Sequence, residues 1–215
     1  MAELNVLAAQ LAHLGLDILP EHQEQLLRFQ RELLSWNRKF NLTAIRDQAQ
    51  SIEKHLVDSL TPLPLLEGSR RLLDLGSGPG LPAIPLKIVR PALGIVSVEA
   101  QEKKILFQRH VARLLGLRDF TPVRARIEEF GKDAAQGGAY DLVIARALAR
   151  TEQLLAWAAP FLAGGGRLIA MKAQEEDGNL AQLATLSGFE WTERSELLLP
   201  ASGAQRRLDV FTRVG

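Results

Sequence analysis

The chain has 215 residues, of which 47% are hydrophobic, and a formal net charge of +1. This length suits one packed α/β domain with a small extra element, and the hydrophobic content excludes a disordered chain. The absence of cysteine excludes disulfides and thiolate chemistry. The histidines are scattered without helical metal-ligand spacing, so we expect no metal site. Because the net charge is small, any nucleic-acid contact must come from a local basic face.

The start of the chain lacks the features of a secretory signal, because no basic region precedes a long apolar run in residues 1–14. No apolar stretch approaches the roughly 20 residues that span a bilayer. We therefore expect a cytoplasmic protein without a membrane partner.

The first third of the chain is predicted to be helical. Apolar side chains recur every three or four residues between positions 26 and 40, which is the stripe of an amphipathic helix. Pro20 suits the start of this helix. Residues 41–44 are predicted to form a turn, and residues 51–60 a further helix that ends before two prolines. Residues 1–65 are therefore expected to form a helical segment that packs on the core.

From residue 66 onward, short apolar strands alternate with amphipathic helices. The predicted strands occupy residues 71–75, 94–98, 120–124, 140–145, 166–171, 189–198 and 206–214. The predicted helices occupy residues 81–89, 101–115, 152–162 and 178–186. Such alternation predicts a mostly parallel sheet covered on both faces, and the last two strands predict an antiparallel C-terminal pair. Residues 66–215 are thus predicted to form a Rossmann-like α/β domain, and by analogy the terminal pair is typical of its methyltransferase version.

The strongest local signal is a glycine loop between a predicted strand and a predicted helix. Its glycines stand at positions 76, 78 and 80, and Asp74 lies two residues before the first of them. Glycine lets the backbone approach a ligand, and the helix N-terminus behind the loop offers unpaired N–H groups. A dinucleotide loop would need glycine or alanine where Leu81 stands, so the spacing disfavours NAD and favours S-adenosylmethionine.

The loop leaves two points open. Asp74 would either hold the loop or meet the amino group of the ligand. The alternative to a binding loop is an ordinary glycine-rich turn. The cofactor contacts predicted in this loop are Asp74, Gly76, Ser77, Gly78, Gly80 and Leu81.

Further candidate residues follow the other predicted strands, where the functional sites of open α/β sheets lie. Glu99 comes about 20 residues after the loop, at the position where an acid accepts hydrogen bonds from a ribose diol. Ile127 and Glu128 follow the third strand, at the turn that borders the adenine in this fold. Arg146 and Lys172 end two later strands. The alternatives are a core side chain for Ile127 and solvated side chains for the others.

Four segments of the chain resemble the RsmG (GidB) family. They are NLTAI at residues 41–45, HLVDSL at 55–60, DLGSGPGLP at 74–82 and VIARA at 143–147. Their order and spacing match over nearly the whole chain. The two loop prolines and the upstream histidine, aspartate and serine are more specific than the glycines. Ala83 departs from the glycine that is usual in the family, which is a small change.

The resemblance implies a bacterial cytosolic enzyme that transfers a methyl group from S-adenosylmethionine to N7 of one guanosine in 16S ribosomal RNA. Its partner would be this RNA or an assembling small ribosomal subunit. The resemblance also implies a cofactor site that includes Gly76, Leu81, Ile127, Glu128 and Arg146. It places functional basic side chains at Lys103, Arg126 and Lys172. We expect catalytic roles for Arg146, Lys172 and Arg126, and RNA contacts from Lys103, Lys104, Arg126 and Lys172.

This reaction needs few catalytic groups. Guanine N7 carries a free lone pair, so the task is to align N7, the methyl group and the sulfur. Because the groove that exposes N7 is deep and narrow in A-form RNA, we expect an unpaired or splayed guanosine. Two other functions compete with this one. Leu81 argues against an NAD-dependent oxidoreductase, and the intact loop with Asp74 argues against a non-catalytic RNA-binding protein.

The remaining basic residues either hold phosphates or form solvated faces. They are Arg38, Lys39, Arg109, Arg113, Arg206 and Arg207. His55 and Asp58 are three residues apart on a predicted helix and share a face, so they either contact the ligands or pack the N-terminal segment. We expect the protein to be a monomer.

Overall fold

The computed structural model describes residues 1–173 and 179–215. Seven strands form one sheet in the order β3-β2-β1-β4-β5-β7-β6. The strands are β1 Arg71–Leu75, β2 Gly94–Glu99, β3 Phe120–Arg124, β4 Tyr140–Arg146, β5 Leu162–Lys172, β6 Phe189–Leu198 and β7 Gln205–Arg213. Strands β1 to β5 pair in parallel, whereas β7 runs antiparallel to both β5 and β6. The predicted mostly parallel sheet with an antiparallel C-terminal pair is confirmed.

Helices precede the sheet and cover both of its faces. They are α1 Ala2–His13, α2 Pro20–Phe40, α3 Gln48–Ser51, α4 Asp58–Leu60, α5 Ala83–Val89, α6 Glu102–Leu115, α7 Ile127–Phe130, α8 Thr151–Ala158 and α9 Leu180–Leu186. A π-helix, Ile52–Val57, joins α3 to α4. Residue 178, the predicted start of the last helix, lies outside the described residues. In the described ranges, no helix is both long enough and apolar enough to cross a membrane.

The N-terminal helices pack on one face of the sheet. Helix α2 begins with Pro20 and ends where Asn41 adopts a left-handed conformation. Its buried residues Leu26 and Phe29 lie in the same hydrophobic cluster as Leu72 of β1. Burial against the sheet therefore supplies the stabilisation that a short isolated helix in water lacks.

The sheet separates two hydrophobic clusters because successive strand side chains point to opposite faces. Leu72 belongs to the cluster under α2, α5 and α6, and its neighbour Leu73 belongs to the cluster under α8 and α9. Since both faces are covered, the central strands are apolar at nearly every position. Because these strands run in parallel, the carboxyl ends of β1, β2, β4 and β5 lie at one edge of the sheet.

The sequence prediction was wrong at the boundary between α8 and β5. A helix over residues 152–162 was expected, but α8 ends at Ala158 and β5 begins at Leu162. Pro160 has no N–H to continue a helical ladder. Leu162 instead pairs with Tyr140 of β4, beyond an irregularity in the register. Pairing with β4 lengthens β5. Hydrophobic periodicity does not predict such pairing between strands.

Candidate functional site

The glycine loop joins β1 to α5 at the carboxyl edge of the sheet. Gly76, Gly78 and Gly80 all have positive φ, a conformation that favours glycine. A Cβ at Gly78 would meet nothing within 4 Å, whereas a Cβ at Gly80 would collide with the side chain of Ile84. Gly80 therefore lets the loop pack on α5, and Gly78 leaves open space beside the loop.

Gln108, on the buried face of α6, anchors the loop from behind. Its Nε2 donates to Ser77 Oγ at 2.9 Å and to the Gly78 carbonyl at 2.8 Å. Ser97 Oγ donates to Gln108 Oε1 at 2.8 Å. Buried and satisfied polar networks of this kind hold a single conformation. Gln108 was not predicted from the sequence, although a polar residue on the apolar stripe of α6 was a usable signal.

Asp74 is completely buried beneath the loop. Its Oδ2 accepts a hydrogen bond from the Ala83 N–H at 3.2 Å, at the start of α5. Burial raises the pKa of Asp74 to about 8, although the Ala83 hydrogen bond and the charge of Arg146 act in the opposite direction. Within the described part of the chain, Oδ1 has no hydrogen-bond partner. Asp74 thus holds the loop against the start of α5.

One cavity, here called the β2 cavity, opens beyond the carboxyl ends of β2 and β3 with a volume of about 440 Å³. Six of the predicted site residues line it: Gly76, Glu99, Lys104, Arg126, Ile127 and Glu128. Leu148 and Trp157 also line it and were not predicted. Both lie in or after the segment that follows β4, so only the fold brings them to this cavity.

Glu99 lies at the centre of the contacts in the β2 cavity. Its Oε2 accepts from the Gly78 N–H at 3.0 Å, and its Oε1 accepts from the Gln101 N–H at 2.8 Å. Lys104 Nζ lies 3.7 Å from Oε2. On the opposite side, the Trp157 indole N–H donates to Glu128 at 3.1 Å. Glu99 therefore ties the end of β2 to the glycine loop.

A second cavity, here called the β4 cavity, lies on the other side of the loop with a volume of about 380 Å³. The predicted residues that line it are Gly76, Ser77, Gly78, Leu81, Arg146 and Lys172. Thr43, Lys54, His55, Asp58 and Arg206 also line it. The sequence left a ligand contact open for His55, Asp58 and Arg206, and it did not point to Thr43 or Lys54 as site residues. Gly76 lines both cavities.

Asp58 joins three parts of the chain in the β4 cavity. Its Oδ2 lies 3.4 Å from Arg146 Nη1, and its Oδ1 accepts from Arg206 Nε at 2.8 Å. Arg146 Nη1 also donates to the Lys54 carbonyl at 3.1 Å. Burial lowers the pKa of Arg146, whereas Asp58 raises it. Asp58 therefore connects the helical segment with β4 and β7.

His55 is held by hydroxyl groups on both sides of its ring. Its Nε2 lies 3.1 Å from Thr43 Oγ1, and its Nδ1 lies 3.0 Å from Ser51 Oγ. Burial, followed by the charge of Arg146, lowers the pKa of His55 to about 3. His55 is therefore neutral at neutral pH, and it fixes the loop at Thr43 against the π-helix. The sequence left two roles open for His55, ligand contact and packing of the N-terminal segment. These contacts support the packing role.

The remaining predicted cations occupy different places. Lys172 is buried at the β4 cavity, where its Nζ donates to the Ala149 carbonyl. Lys103 lies outside both cavities and donates to the Phe40 and Asn41 carbonyls at 2.9 and 3.2 Å, at the end of α2. Arg207 is buried against Asp209 at 2.8 Å and faces away from the cavity that Arg206 lines, so it is not a solvated side chain.

Across the two described ranges of the chain, no cluster of three or more His, Asp or Glu side chains is arranged to hold a metal ion.

Solved structures share the fold of this chain at low sequence identity. A SAM-dependent methyltransferase from Aquifex aeolicus superposes with a TM-score of 0.57 and 15% identity, covering 77% of this chain and 93% of that one. A methyltransferase from Burkholderia thailandensis with bound S-adenosylhomocysteine superposes with a TM-score of 0.58 and 13% identity, covering 86% and 91%. At these identities the likeness shows the fold alone.

Sequence relatives are much nearer. Ribosomal RNA small subunit methyltransferase G of Syntrophotalea carbinolica is 44% identical over 212 residues, which is 97% of each chain. The protein of the same name from Geotalea uraniireducens is 43% identical over 205 residues, covering 94% of this chain and 92% of the relative. Residues 22–207 match the sequence model of the family described as GidB, rRNA small subunit methyltransferase G. The chain therefore belongs to the GidB family.

Proposed function

We propose that this protein is an S-adenosylmethionine-dependent enzyme that methylates N7 of a guanosine in 16S ribosomal RNA. The observation that carries the proposal is the meeting of the two cavities at Gly76, beyond the carboxyl ends of the strands. One cavity offers a carboxylate and an aromatic wall to a nucleoside, and the other offers cations to an anionic acceptor. Membership of the GidB family supports the same reaction and the same acceptor.

The β2 cavity fits the adenosine part of S-adenosylmethionine. Glu99 ends β2, the position from which a carboxylate accepts hydrogen bonds from a ribose diol. Each of its oxygens already accepts one backbone N–H and retains a further acceptor site. Ile127 and Trp157 supply apolar surface. The open space at Gly78 suits the part of the cofactor that passes over the loop.

The chain's own residues bind and orient the reactants. When bound, S-adenosylmethionine supplies an electrophilic methyl group on a sulfonium. Gln108 holds the loop so that Gly76 separates the donor side from the acceptor side. Guanine N7 needs no deprotonation, and His55, with both ring nitrogens engaged, is unsuited to act as a base. The protein therefore contributes alignment of N7 with the methyl group, which by itself lowers barriers substantially.

The same proposal extends to the setting of the reaction. We infer a cytoplasmic monomer whose acceptor is 16S ribosomal RNA, either free or in an assembling small subunit. We also infer that residues 1–65 form a segment distinct from the Rossmann-like residues 66–215. Thr43, His55 and Asp58 of this segment line the β4 cavity, so the segment is placed to contact the acceptor.

Mass mapping of ribosomal RNA tests the function. Small ribosomal subunits and free 16S ribosomal RNA from a strain that lacks this protein are incubated with the protein and S-adenosylmethionine. We expect one new 7-methylguanosine. Calorimetry with S-adenosylmethionine and with NAD separates the alternatives. Binding of S-adenosylmethionine without methyl transfer would favour a non-catalytic RNA-binding protein, and binding of NAD alone would favour an oxidoreductase.

A further inference from the structure

Arg206 points into the β4 cavity, whereas the next residue, Arg207, is buried on the opposite face of β7. This difference follows from the alternation of side chains along a strand. Arg206 Nε donates to Asp58, and Arg206 Nη1 donates to the Gln205 carbonyl at 2.8 Å. Among the described residues, Nη2 of Arg206 has no hydrogen-bond partner. One edge of this guanidinium is therefore available to a ligand.

Lys54 lies on the same cavity, one turn before Asp58 on the helical segment. Its backbone carbonyl accepts from Arg146, which fixes the backbone of Lys54 at the wall of the cavity. In the part of the chain that the structure describes, its ammonium group forms no ion pair. Lys54 therefore adds a second cation with unused hydrogen-bond donors.

Among the described residues, the charges that line the β4 cavity do not balance. The side chains of Lys54, Arg146 and Arg206 line it together with one described carboxylate, that of Asp58. Methyl transfer from a sulfonium to N7 moves one positive charge from the cofactor to the guanine and leaves the total unchanged. A cavity with excess cations would repel both the substrate complex and the product complex. An anion that enters with the acceptor removes this repulsion.

We propose that Arg206 and Lys54 form a subsite for the phosphodiester group of the nucleotide that is methylated, with Asp58 as the positioning residue for Arg206. The inference rests on the proposed function. A nucleotide that is splayed into the cavity brings its own phosphate with it. The free Nη2 edge of Arg206 offers planar N–H donors, and Lys54 offers a point charge, which are the two usual ways of binding phosphate.

Asp58 fixes the orientation of the Arg206 guanidinium. It accepts from Nε at 2.8 Å while Nη1 donates to the Gln205 carbonyl, which leaves the N–H groups of Nη2 without a partner among the described residues. The Asp58 side chain is 8% exposed, so this contact is shielded from solvent and from salt. Asp58→Asn would keep the shape of the side chain and weaken the orientation of both arginines.

The test measures methyl transfer to small ribosomal subunits over a series of salt concentrations for Arg206→Gln and Lys54→Gln. For each variant we expect KM for the subunit to rise about tenfold, because a charge-assisted hydrogen bond is lost. The slope of log KM against log salt should flatten by about 0.7 for each phosphate contact removed. S-adenosylhomocysteine affinity should not change, and Arg206→Lys should recover part of the loss.

Arg90→Gln is the matched control, because Arg90 is exposed at the end of α5, at the opposite edge of the sheet. It should leave KM and the salt slope unchanged. If thermal unfolding shows that Arg206→Gln does not fold, the KM and the salt slope of Lys54→Gln still test the subsite. Weakened S-adenosylhomocysteine binding with an unchanged KM would assign these cations to the cofactor carboxylate and overturn the subsite.

An unchanged KM and an unchanged salt slope in both variants would also overturn the proposed phosphodiester subsite. Failure of the wild-type protein to methylate the subunit is a different result, because it contradicts the proposed function rather than the subsite.

Discussion

The two cavities that meet at Gly76 differ in charge and in the parts of the chain that build them. The lining of the β2 cavity comes from residues 76–157, and its two carboxylates, Glu99 and Glu128, face two cations. The β4 cavity combines the loop at Thr43, the π-helix, the ends of β4 and β5, and Arg206 of β7, and among the described residues its cations outnumber its carboxylates. One cavity is thus a product of consecutive strand ends, and the other joins both ends of the chain.

This difference indicates that the two cavities bind different reactants. Strand ends of an open α/β sheet recur wherever the fold recurs, so they suit a cofactor that many enzymes share. The π-helix lies outside that sheet, and π-helical turns are frequent at functional sites. Its Glu53 accepts from the Ala201 and Ser202 N–H groups at 2.6 and 2.9 Å, which ties it to the loop between β6 and β7. We infer that acceptor selection resides in the β4 cavity.

The largest effect is expected from Arg146, which ends β4 beside the loop. Arg146→Gln should reduce the single-turnover rate of methyl transfer by about 100-fold, because a preorganised charged donor is lost at the reacting groups. The variant should remain folded, since Asp58 keeps its contact with Arg206. Single-turnover transfer with saturating cofactor measures the effect. A rate equal to wild type would remove Arg146 from the site.

A second prediction separates the binding role of the loop from its backbone strain. Gly78→Val should weaken S-adenosylmethionine binding by at least about tenfold, because the side chain would fill open space next to the cofactor. Gly15→Val is the control, since Gly15 also has a positive φ and open space around a Cβ but lies between α1 and α2. Calorimetry compares the two variants. Equal losses of affinity would mean that strain, rather than occupation of the site, explains the result.

A third prediction sharpens the comparison of the cavities. Glu99→Gln should weaken S-adenosylhomocysteine binding by about tenfold and leave KM for the small subunit unchanged, because the lost charge lies in the β2 cavity. Glu129→Gln is the matched control, since Glu129 is exposed on α7 and does not line either cavity. If Glu99→Gln raised KM for RNA while cofactor binding persisted, the assignment of the two cavities would be reversed.

A fourth prediction concerns stability rather than activity and comes from Asp74, beneath the loop that separates the cavities. Its pKa is about 8 in the folded protein against 3.8 as the ordinary value. The folded state thus binds the extra proton, so the stability from this group is complete below about pH 4 and is lost as the pH rises through about 8. Asp74→Asn should flatten this part of the profile. Denaturant unfolding between pH 5 and about 9 measures it, and parallel profiles for both proteins would contradict the prediction.

The candidate site was predictable wherever its signal was local. Asp74, the three loop glycines, Glu99 and Arg146 follow strands that hydrophobic periodicity identifies, and parallel strands bring their carboxyl ends to one edge. Gln108 and the Asp58 contact with Arg206 were not predicted, because they depend on which helix packs behind the loop and on how β7 enters the sheet. Lys103 illustrates the same limit: the family resemblance implied a functional cation there, and only the fold shows that its ammonium group donates to carbonyls at the end of α2, while its RNA contact stays a prediction.

The sequence by itself determined the order of strands and helices, the glycine loop and the acids and cations at the strand ends. These features depend on side-chain periodicity and on backbone preferences that act over a few residues. Only the tertiary structure decided that residues 43, 54, 58 and 206 share one cavity with Arg146. The contacts among Lys54, Asp58, Arg146 and Arg206 span 88 to 148 positions of the chain, and the packing of the helical segment and of β7 on the sheet creates them.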